Sequence, residues 1–378
     1  MKPYIFSILF LLSVTISFSQ SKEVVLDTVY KTAENTTLNL DLTNVGVVFE
    51  ESPDDNIYFN YEIIFSRYSK GRRENVVNQS KIKMLQEKNL INLEMKNSSF
   101  LGFDYRFIFD EDTNSISWLT KNLKNETKNL LIKQKTKEQI LQEIELSQEN
   151  ILNNYQKRNY IEYLKKKSFK LKKQIIQKFV IKVPKHVKIR LKATECNITI
   201  NHKLTTSFVM NSFKGVFKFN QISGLNSRII ASKGIFEANN LQNTRLEFLD
   251  MYQVKIGDLF NTNVVSETSK IEIGEIGENV EIKDFSSKLY LYNFHKNFTK
   301  FELTGDYTEL NLYKVRNTNF SMDVSGFNTA LNMDGKKTSF GASTEKELTK
   351  ILHKKRKESS PFLGNIDVIL KNGILNIK

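Results

Sequence analysis

One short pattern, apolar, any, apolar, any, any, apolar, returns along the chain from Cys196 to Asp334 and restricts the possible folds more than anything else in the sequence. It is written as Ile198-Thr-Ile200, Phe217-Lys-Phe219-x-x-Ile222, Phe236-Glu-Ala238-x-x-Leu241, Val254-Lys-Ile256-x-x-Leu259, Ile271-Glu-Ile273-x-x-Ile276, Leu289-Tyr-Leu291-x-x-Phe294, Leu310-Asn-Leu312-x-x-Val315 and Leu331-Asn-Met333. Its first positions lie 19, 19, 18, 17, 18, 21 and 21 residues apart. A period near 20 predicts a solenoid, because a single unit cannot bury its apolar face and must lie on the next. Alternation puts both apolar residues of each copy on one side of a strand, and the period leaves room for a second strand between copies. Phe208-Met210, Ile229-Ala231, Leu246-Phe248, Val264-Ser266, Val280-Ile282, Phe301-Leu303 and Phe320-Met322 supply it.

Stacking would bring the intervening outward residues into one column: Thr199, Lys218, Glu237, Lys255, Glu272, Tyr290, Asn311, Asn332. Four members alternate in sign, which favours adjacent strands, whereas like charges would repel. The next outward column, Asn201, Asn220, Asn239, Gly257, Gly274, begins as an amide ladder and ends in glycines, a composition suited to a corner. Evenly spaced antiparallel hairpins are the competing arrangement, but they need tight Asn-Gly or Asp-Gly turns, which are few here. The expected fold is therefore mainly β, a right-handed parallel β-solenoid (β-helix) of about 20 residues per coil, interrupted by an α-helical insertion.

That insertion spans 104–176, where glycine and proline vanish from 104 onward and Leu130, Ile140, Leu141, Ile144, Ile151, Leu152, Tyr155, Leu164, Leu171 and Ile175 return in places at helical spacing. Residues 114–178 hold 15 Lys and Arg against 6 acids, so much of the formal charge of +14 sits in one segment. Lys165, Lys166, Lys167, Lys170, Lys172 and Lys173 form its densest basic run, readable as a solvated face or as a contact for anionic lipid or an acidic partner. Asp110-Glu-Asp112-Thr-Asn114 imitates the opening of a calcium loop, but Ser115 stands where such a loop needs glycine and Lys121 where it needs glutamate.

The amino-terminal stretch 1–19 has a lysine at position 2, an apolar run from Tyr4 to Val14 and small residues at Ser17 and Ser19, the composition of an export signal. Export places the chain outside the cytoplasm, in the periplasm, on the surface or secreted, and argues against nucleic acid as partner. Residues 20–103 alternate again, as in Leu38-x-Leu40-x-Leu42, Val45-x-Val47-x-Phe49 and Ile57-x-Phe59-x-Tyr61-x-Ile63, and are expected to cap or start the solenoid. Separators such as Lys70-Gly71-Arg72-Arg73 read as turns.

Val183-Pro184-Lys185-His186-Val187-Lys188-Ile189, followed by Ile198-Thr-Ile200 and serial copies, resembles the putative-adhesin family of exported bacterial β-solenoid domains. The resemblance covers 177–335 best. It implies an extracytoplasmic location, no cofactor and an interaction role at the surface. The family's glycine ahead of each strand is matched by Gly215 and Gly234, whereas Tyr252, Ser269, Ser287 and Thr308 stand in later copies. In the remaining 336–378, Ser343-Thr-Glu-Lys-Glu347 leading to His353-Lys-Lys-Arg-Lys357 reads as a capped helix, and Ile366 to Ile377 around Asn372-Gly373 as a closing hairpin.

Motifs for catalysis are missing. The four histidines, His186, His202, His295 and His353, have no metal-ligand spacing, and no phosphate loop or nucleophile elbow occurs. The single cysteine, Cys196, rules out an intramolecular disulfide and is placed as a small buried residue. Carbohydrate-cleaving β-helices line an outer face with acids and bases, which Lys218, Glu237, Lys255 and Glu272 could imitate were they not positioned to pair with one another. Tyr290, Tyr292 and Tyr313 project outward from neighbouring copies, and flat exposed aromatics suit a glycan or protein partner. The sequence thus points to a non-enzymatic adhesion-like module of the cell envelope that needs no cofactor. Alternatives are an accessory that contacts membrane or a membrane protein through the basic segment and, after that, a polysaccharide-cleaving β-helix.

Overall fold

Burial that alternates residue by residue, in one strand after another, organises this protein. The computed structural model describes residues 20–66, 68–97, 107–110, 115–118, 135–136, 174–313, 320–333, 336–339, 349–353 and 364–378. They are mainly β: a large, mostly parallel mixed sheet, a small three-stranded antiparallel sheet and, among the described residues, one helix, Lys70–Asn78. The chain divides into two compact units, residues 1–27, 60–80 and 97–179 in one and 28–59, 81–96 and 180–378 in the other.

The smaller unit holds the helix, which begins where the sequence suggests a turn and buries none of its residues. Arg73 lies 3.2 Å from Glu23, and Tyr61 packs its ring 5.3 Å from Phe179. Within the expected helical insertion, the described residues are strands instead: Phe107–Asp110, Ser115–Trp118 and Lys135–Thr136 form the small antiparallel sheet, and Gln174–Val183 belongs to the large one. Phe107-Ile-Phe109 and Ser115-Ile-Ser-Trp118 are short aromatic and β-branched runs, which lose side-chain freedom in a helix and pack well on a pleated surface. The rest of that segment, including the six lysines, lies outside the described residues, as does the export-signal stretch.

In the larger unit, Lys188–Leu204 pairs in parallel with Phe208–Ile222, and that strand with Ser227–Gln242. Past Gln242 the strands shorten and continue as two files. One runs through Thr244–Leu249, Thr262–Glu267, Val280–Phe285 and Lys300–Asp306. The other runs through Gln253–Phe260, Lys270–Ile276, Lys288–Phe294 and Glu309–Leu312. Thr37–Thr43 and Gly46–Glu51 pair along the other side of Lys188–Leu204, with residues 90–96 and 180–183 beyond them.

Between the files the chain turns through one residue with left-handed backbone: Glu195, Lys214, Lys233, Asp250, Thr268, Ser286 and Tyr307, with φ between 49° and 60°. Side chains other than glycine pay for that conformation. The last four have their N–H held by the neighbouring strand: Asp250 by the Glu267 carbonyl at 3.0 Å, and Thr268, Ser286 and Tyr307 by those of Phe285, Asp306 and Lys371 at 2.9 Å. The opposite corner uses Asn226, Asn243, Asn261 and Asn279, a residue type that tolerates this region better.

Glycine is required where corners approach most closely. A Cβ on Gly215 would lie 2.1 Å from the Cys196 carbonyl oxygen, and one on Gly234 2.3 Å from that of Gly215. Where serine and threonine replace glycine in later copies, their hydroxyls join the ladder. Ser269 Oγ accepts from the Met251 N–H at 3.0 Å, Ser287 Oγ accepts from the Ser269 N–H at 2.9 Å, and Thr308 donates to the buried Asp284 at 2.5 Å. Asp284 also accepts from the Ser266 hydroxyl and the Ser287 N–H, so its carboxylate is satisfied without a cation.

The core is the inward face of both files. Phe208, Phe219, Phe236 and Phe248 form one run of rings with centroids 5.7, 5.3 and 5.0 Å apart. Cys196 is buried, its Sγ 3.3 Å from the Leu42 carbonyl and 3.2 Å from that of Thr194, and burial raises its thiol pKa to about 11.

The carboxyl terminus departs from the expected hairpin. Gly364–Lys371 lies in parallel between Lys300–Asp306 and Phe320–Phe327, and Ile374–Ile377 between Glu309–Leu312 and Ala330–Met333. The last strands of the chain are therefore interior to the ladder, and Leu310 neighbours Leu375 rather than Leu331. Asn372 has φ 50°, which makes Asn372-Gly373 one more corner between the files and not a hairpin turn. The helix expected from Ser343 is, over its described part Thr349–His353, a strand antiparallel to Phe320–Phe327. An open strand edge offers ladder hydrogen bonds that outweigh the local helical preference, and a strand laid on it covers that edge.

Candidate functional site

Two outward columns on the second file carry the residues with the most chemistry. In the first, the register gives Thr199, Lys218, Glu237, Lys255, Glu272, Tyr290 and Asn311 in succession, as the sequence predicts, but Asn376 then stands between Asn311 and Asn332. Lys218 Nζ is 3.3 Å from Glu237 Oε2. Glu272 receives Lys270 Nζ at 2.7 Å and Gln253 Nε2 at 3.3 Å. Partial burial opposes ionisation of Glu272, yet the bonds from Lys270 and Gln253 win and lower its pKa, while Lys270 is raised by Glu272. At the column's end the amides link side to side, Asn376 Nδ2 to Asn311 Oδ1 at 3.0 Å and Asn332 Nδ2 to Asn376 Oδ1 at 2.6 Å.

The second column begins with an amide ladder, Asn220 to the Asn201 carbonyl at 3.1 Å and Asn239 Nδ2 to Asn220 Oδ1 at 3.1 Å. Gly257 and Gly274 follow. A Cβ on Gly257 would meet the Asn239 carbonyl oxygen at 2.4 Å, and one on Gly274 the Gly257 oxygen at 2.7 Å. Ile273 pairs Leu291 and Glu275 pairs Asn293, which sets Gly274 beside Tyr292. Tyr292 stacks on Tyr313 with centroids 5.1 Å apart and planes at 24°. Lys378 closes the column, its Nζ 5.0 Å over the Tyr313 ring and 3.2 Å from the Tyr313 hydroxyl.

Tyr292, 38% exposed, therefore has one face covered by Tyr313 and, on its other side, two positions without side chains. With strands about 4.8 Å apart, Asn239 lies roughly 14 Å away across a glycine floor. Lys255 and Glu272 flank that floor from the first column. Burial and the nearby Glu272 carboxylate raise the Tyr292 pKa, so the phenol stays protonated and able to donate. Tyr290 belongs to the adjoining column and contributes less, with Lys270 Nζ 5.6 Å over its ring. A flat ring with amide, carboxylate and ammonium groups around it can stack on the C–H face of a sugar or on an apolar side chain while the rim supplies hydrogen bonds.

The sequence places the three tyrosines on one surface, and the structure brings Tyr292 and Tyr313 into contact. It does not foresee the glycine floor's edge at Tyr292 or the lysine cap. The motif Leu375-Asn376-Ile377, a further copy of Leu310-Asn-Leu312, is the signal that could have placed Lys378 beside Tyr313. Lys165, Lys166, Lys167, Lys170, Lys172 and Lys173 fall outside the described residues. Among the described residues, no cluster of His, Cys, Asp and Glu is arranged to hold a metal ion, and no helix is long and apolar enough to cross a membrane.

No family model matches this chain, and no curated protein matches it either. Among solved structures it is similar to a putative cell adhesion protein from Clostridium sporogenes, with 11% identity, a TM-score of 0.17 and coverage of 95% of this chain and 99% of that one. It is also similar to a putative lipid binding protein from Parabacteroides distasonis, with 9% identity, a TM-score of 0.31 and coverage of 95% and 97%. Scores this low carry no weight for fold or ligand.

Proposed function

We propose that this protein is an exported β-solenoid that acts without catalysis, as an adhesion-like interaction module of the cell envelope, and that it holds a glycan or protein partner on the Tyr292–Tyr313 platform. The solenoid reading is supported by continuous columns of residues 17 to 21 positions apart and by left-handed corner residues recurring at the same interval. The observation that carries the binding reading is the half-exposed Tyr292 ring, stacked on one face and bordered by a glycine floor on the other side. Ordered aromatic surface beside a side-chain-free strip gains little for folding and suits an incoming flat group. Non-catalytic action is supported by the mutual pairing of Lys218 with Glu237 and of Lys270 with Glu272, which occupies the acids and bases a cleavage site would need free.

The test is a triple variant, Tyr290→Ser, Tyr292→Ser and Tyr313→Ser, in glycan-array and whole-cell binding, beside Tyr292→Trp. The proposal expects the serine variant to keep its circular dichroism and lose binding to uncharged glycans, and the tryptophan variant to retain it. A folded serine variant that binds glycans and cells as the parent does would remove the platform from the account.

A further inference from the structure

The outward face of Lys188–Leu204 presents Lys188, Arg190 and Lys192 in a row, each separated by a buried residue. Asn39 and Asp41 lie beside Arg190 and Lys192 on one neighbouring strand, Val209 and Asn211 on the other, and Asn92 and Glu94 one strand further out. All of these except Lys188 line an open depression of about 400 Å³.

Its charges do not all cancel internally. Lys192 Nζ sits 3.2 Å from Asp41, and Glu94 takes Lys96 at 2.5 Å with Lys83 at 4.0 Å. Those contacts hold the Glu94 carboxyl below its usual range. Arg190 makes no ion pair or hydrogen bond with any described residue, so among these its guanidinium fork has no partner. Beside it, Asn39 gives its Nδ2 to Asn92 Oδ1 at 2.9 Å, while its own Oδ1 is shielded from solvent and accepts nothing. Val209, 36% exposed, adds a small apolar surface in the same column.

We infer that this depression is a second binding site, independent of the tyrosine platform, for a carboxylated sugar of the uronate type. The guanidinium fork matches a planar carboxylate through two parallel hydrogen bonds. Val209 suits the C–H face of a sugar ring. Asp41 and Glu94 line the same wall, so a single negative charge is accommodated whereas a dianionic phosphate or dense polyanion meets two carboxylates. That distinguishes the site from a general basic patch.

Calorimetry with oligogalacturonate, its methyl ester, a glucuronate oligomer, a sulfated oligosaccharide and inorganic phosphate tests this. Oligogalacturonate should bind, with esterification or Arg190→Gln weakening it about tenfold or more and Arg190→Lys less. The Tyr292→Ser variant should bind as the parent does, which separates this site from the platform. Failure of both galacturonate and glucuronate oligomers to bind overturns the inference. So does ester binding equal to that of the acid, tighter binding of phosphate or of the sulfated sugar, or an Arg190→Gln variant with native dichroism and unchanged affinity.

Discussion

Replacing Leu370 by alanine tests the unexpected placement of the last strands. Leu370 is fully buried and pairs laterally with Gly305 on one side and Gly326 on the other. Its side chain occupies the space that those glycines leave: a Cβ added to Gly305 would come within 2.9 Å of Leu370 Cδ2. Removing a buried leucine side chain costs about 2.7–5.0 kcal/mol, the larger values arising where neighbours cannot relax into the void. Glycine has no side chain to move, so Leu370→Ala should fall near the top, about 4–5 kcal/mol. Urea unfolding followed by far-ultraviolet circular dichroism gives the midpoint shift directly, provided the slope is unchanged. In a terminal hairpin with one face exposed, the same change would cost about 1 kcal/mol or less. A loss that small would refute the reasoning, since Leu370 could not then lie between two strands.

Glu237→Lys puts three lysines in file, with Lys218 and Lys255 on either side, and should destabilise by about 0.5–1 kcal/mol at low ionic strength. Raising salt should recover much of that loss, as measured by thermal unfolding at two ionic strengths. Cys196, raised from 9.0 to about 11 by burial, should resist a thiol reagent at pH 8 in the folded protein and react after denaturation. Because the folded value is the higher one, its contribution is complete below pH 9 and lost between about 9 and 11, worth roughly 2–3 kcal/mol. A Cys196→Ala variant should lack that part of the alkaline loss in a pH series of unfolding curves.

Much of the ladder is legible in the sequence because its cause is local. Phe217-Lys-Phe219 and Val254-Lys-Ile256 must hide two side chains and show one, and only lateral stacking does that for every copy at once. The column from Thr199 to Asn311 follows. What the sequence conceals is the order in which copies stack when they are far apart along the chain. Leu310-Asn-Leu312, Leu331-Asn-Met333 and Leu375-Asn376-Ile377 are nearly interchangeable by pattern, and nothing local says that the third fits between the other two. Asn372-Gly373 misleads for a related reason, since the dipeptide serves a left-handed corner as readily as a hairpin turn. Ser343 to Lys357 has the cap and charges of a helix, but the edge of Phe320–Phe327 decides the outcome for Thr349–His353. The tyrosine surface is legible through the same register, while the Arg190 depression is not, because it gathers residues 39–41, 92–94, 190–192, 209 and 211 from distant parts of the chain.

Cysteine pairs introduced at Asn311, Asn332 and Asn376, in a Cys196→Ala background, test the stacking order most directly. Neighbouring strands lie about 4.8 Å apart, within disulfide reach, and second neighbours at roughly twice that are beyond it. Oxidation followed by mass spectrometry should find the 311–376 and 332–376 bridges and no 311–332 bridge. A 311–332 bridge, with position 376 left reduced beside either partner, would contradict the central claim that the end of the chain is threaded into the interior of the ladder.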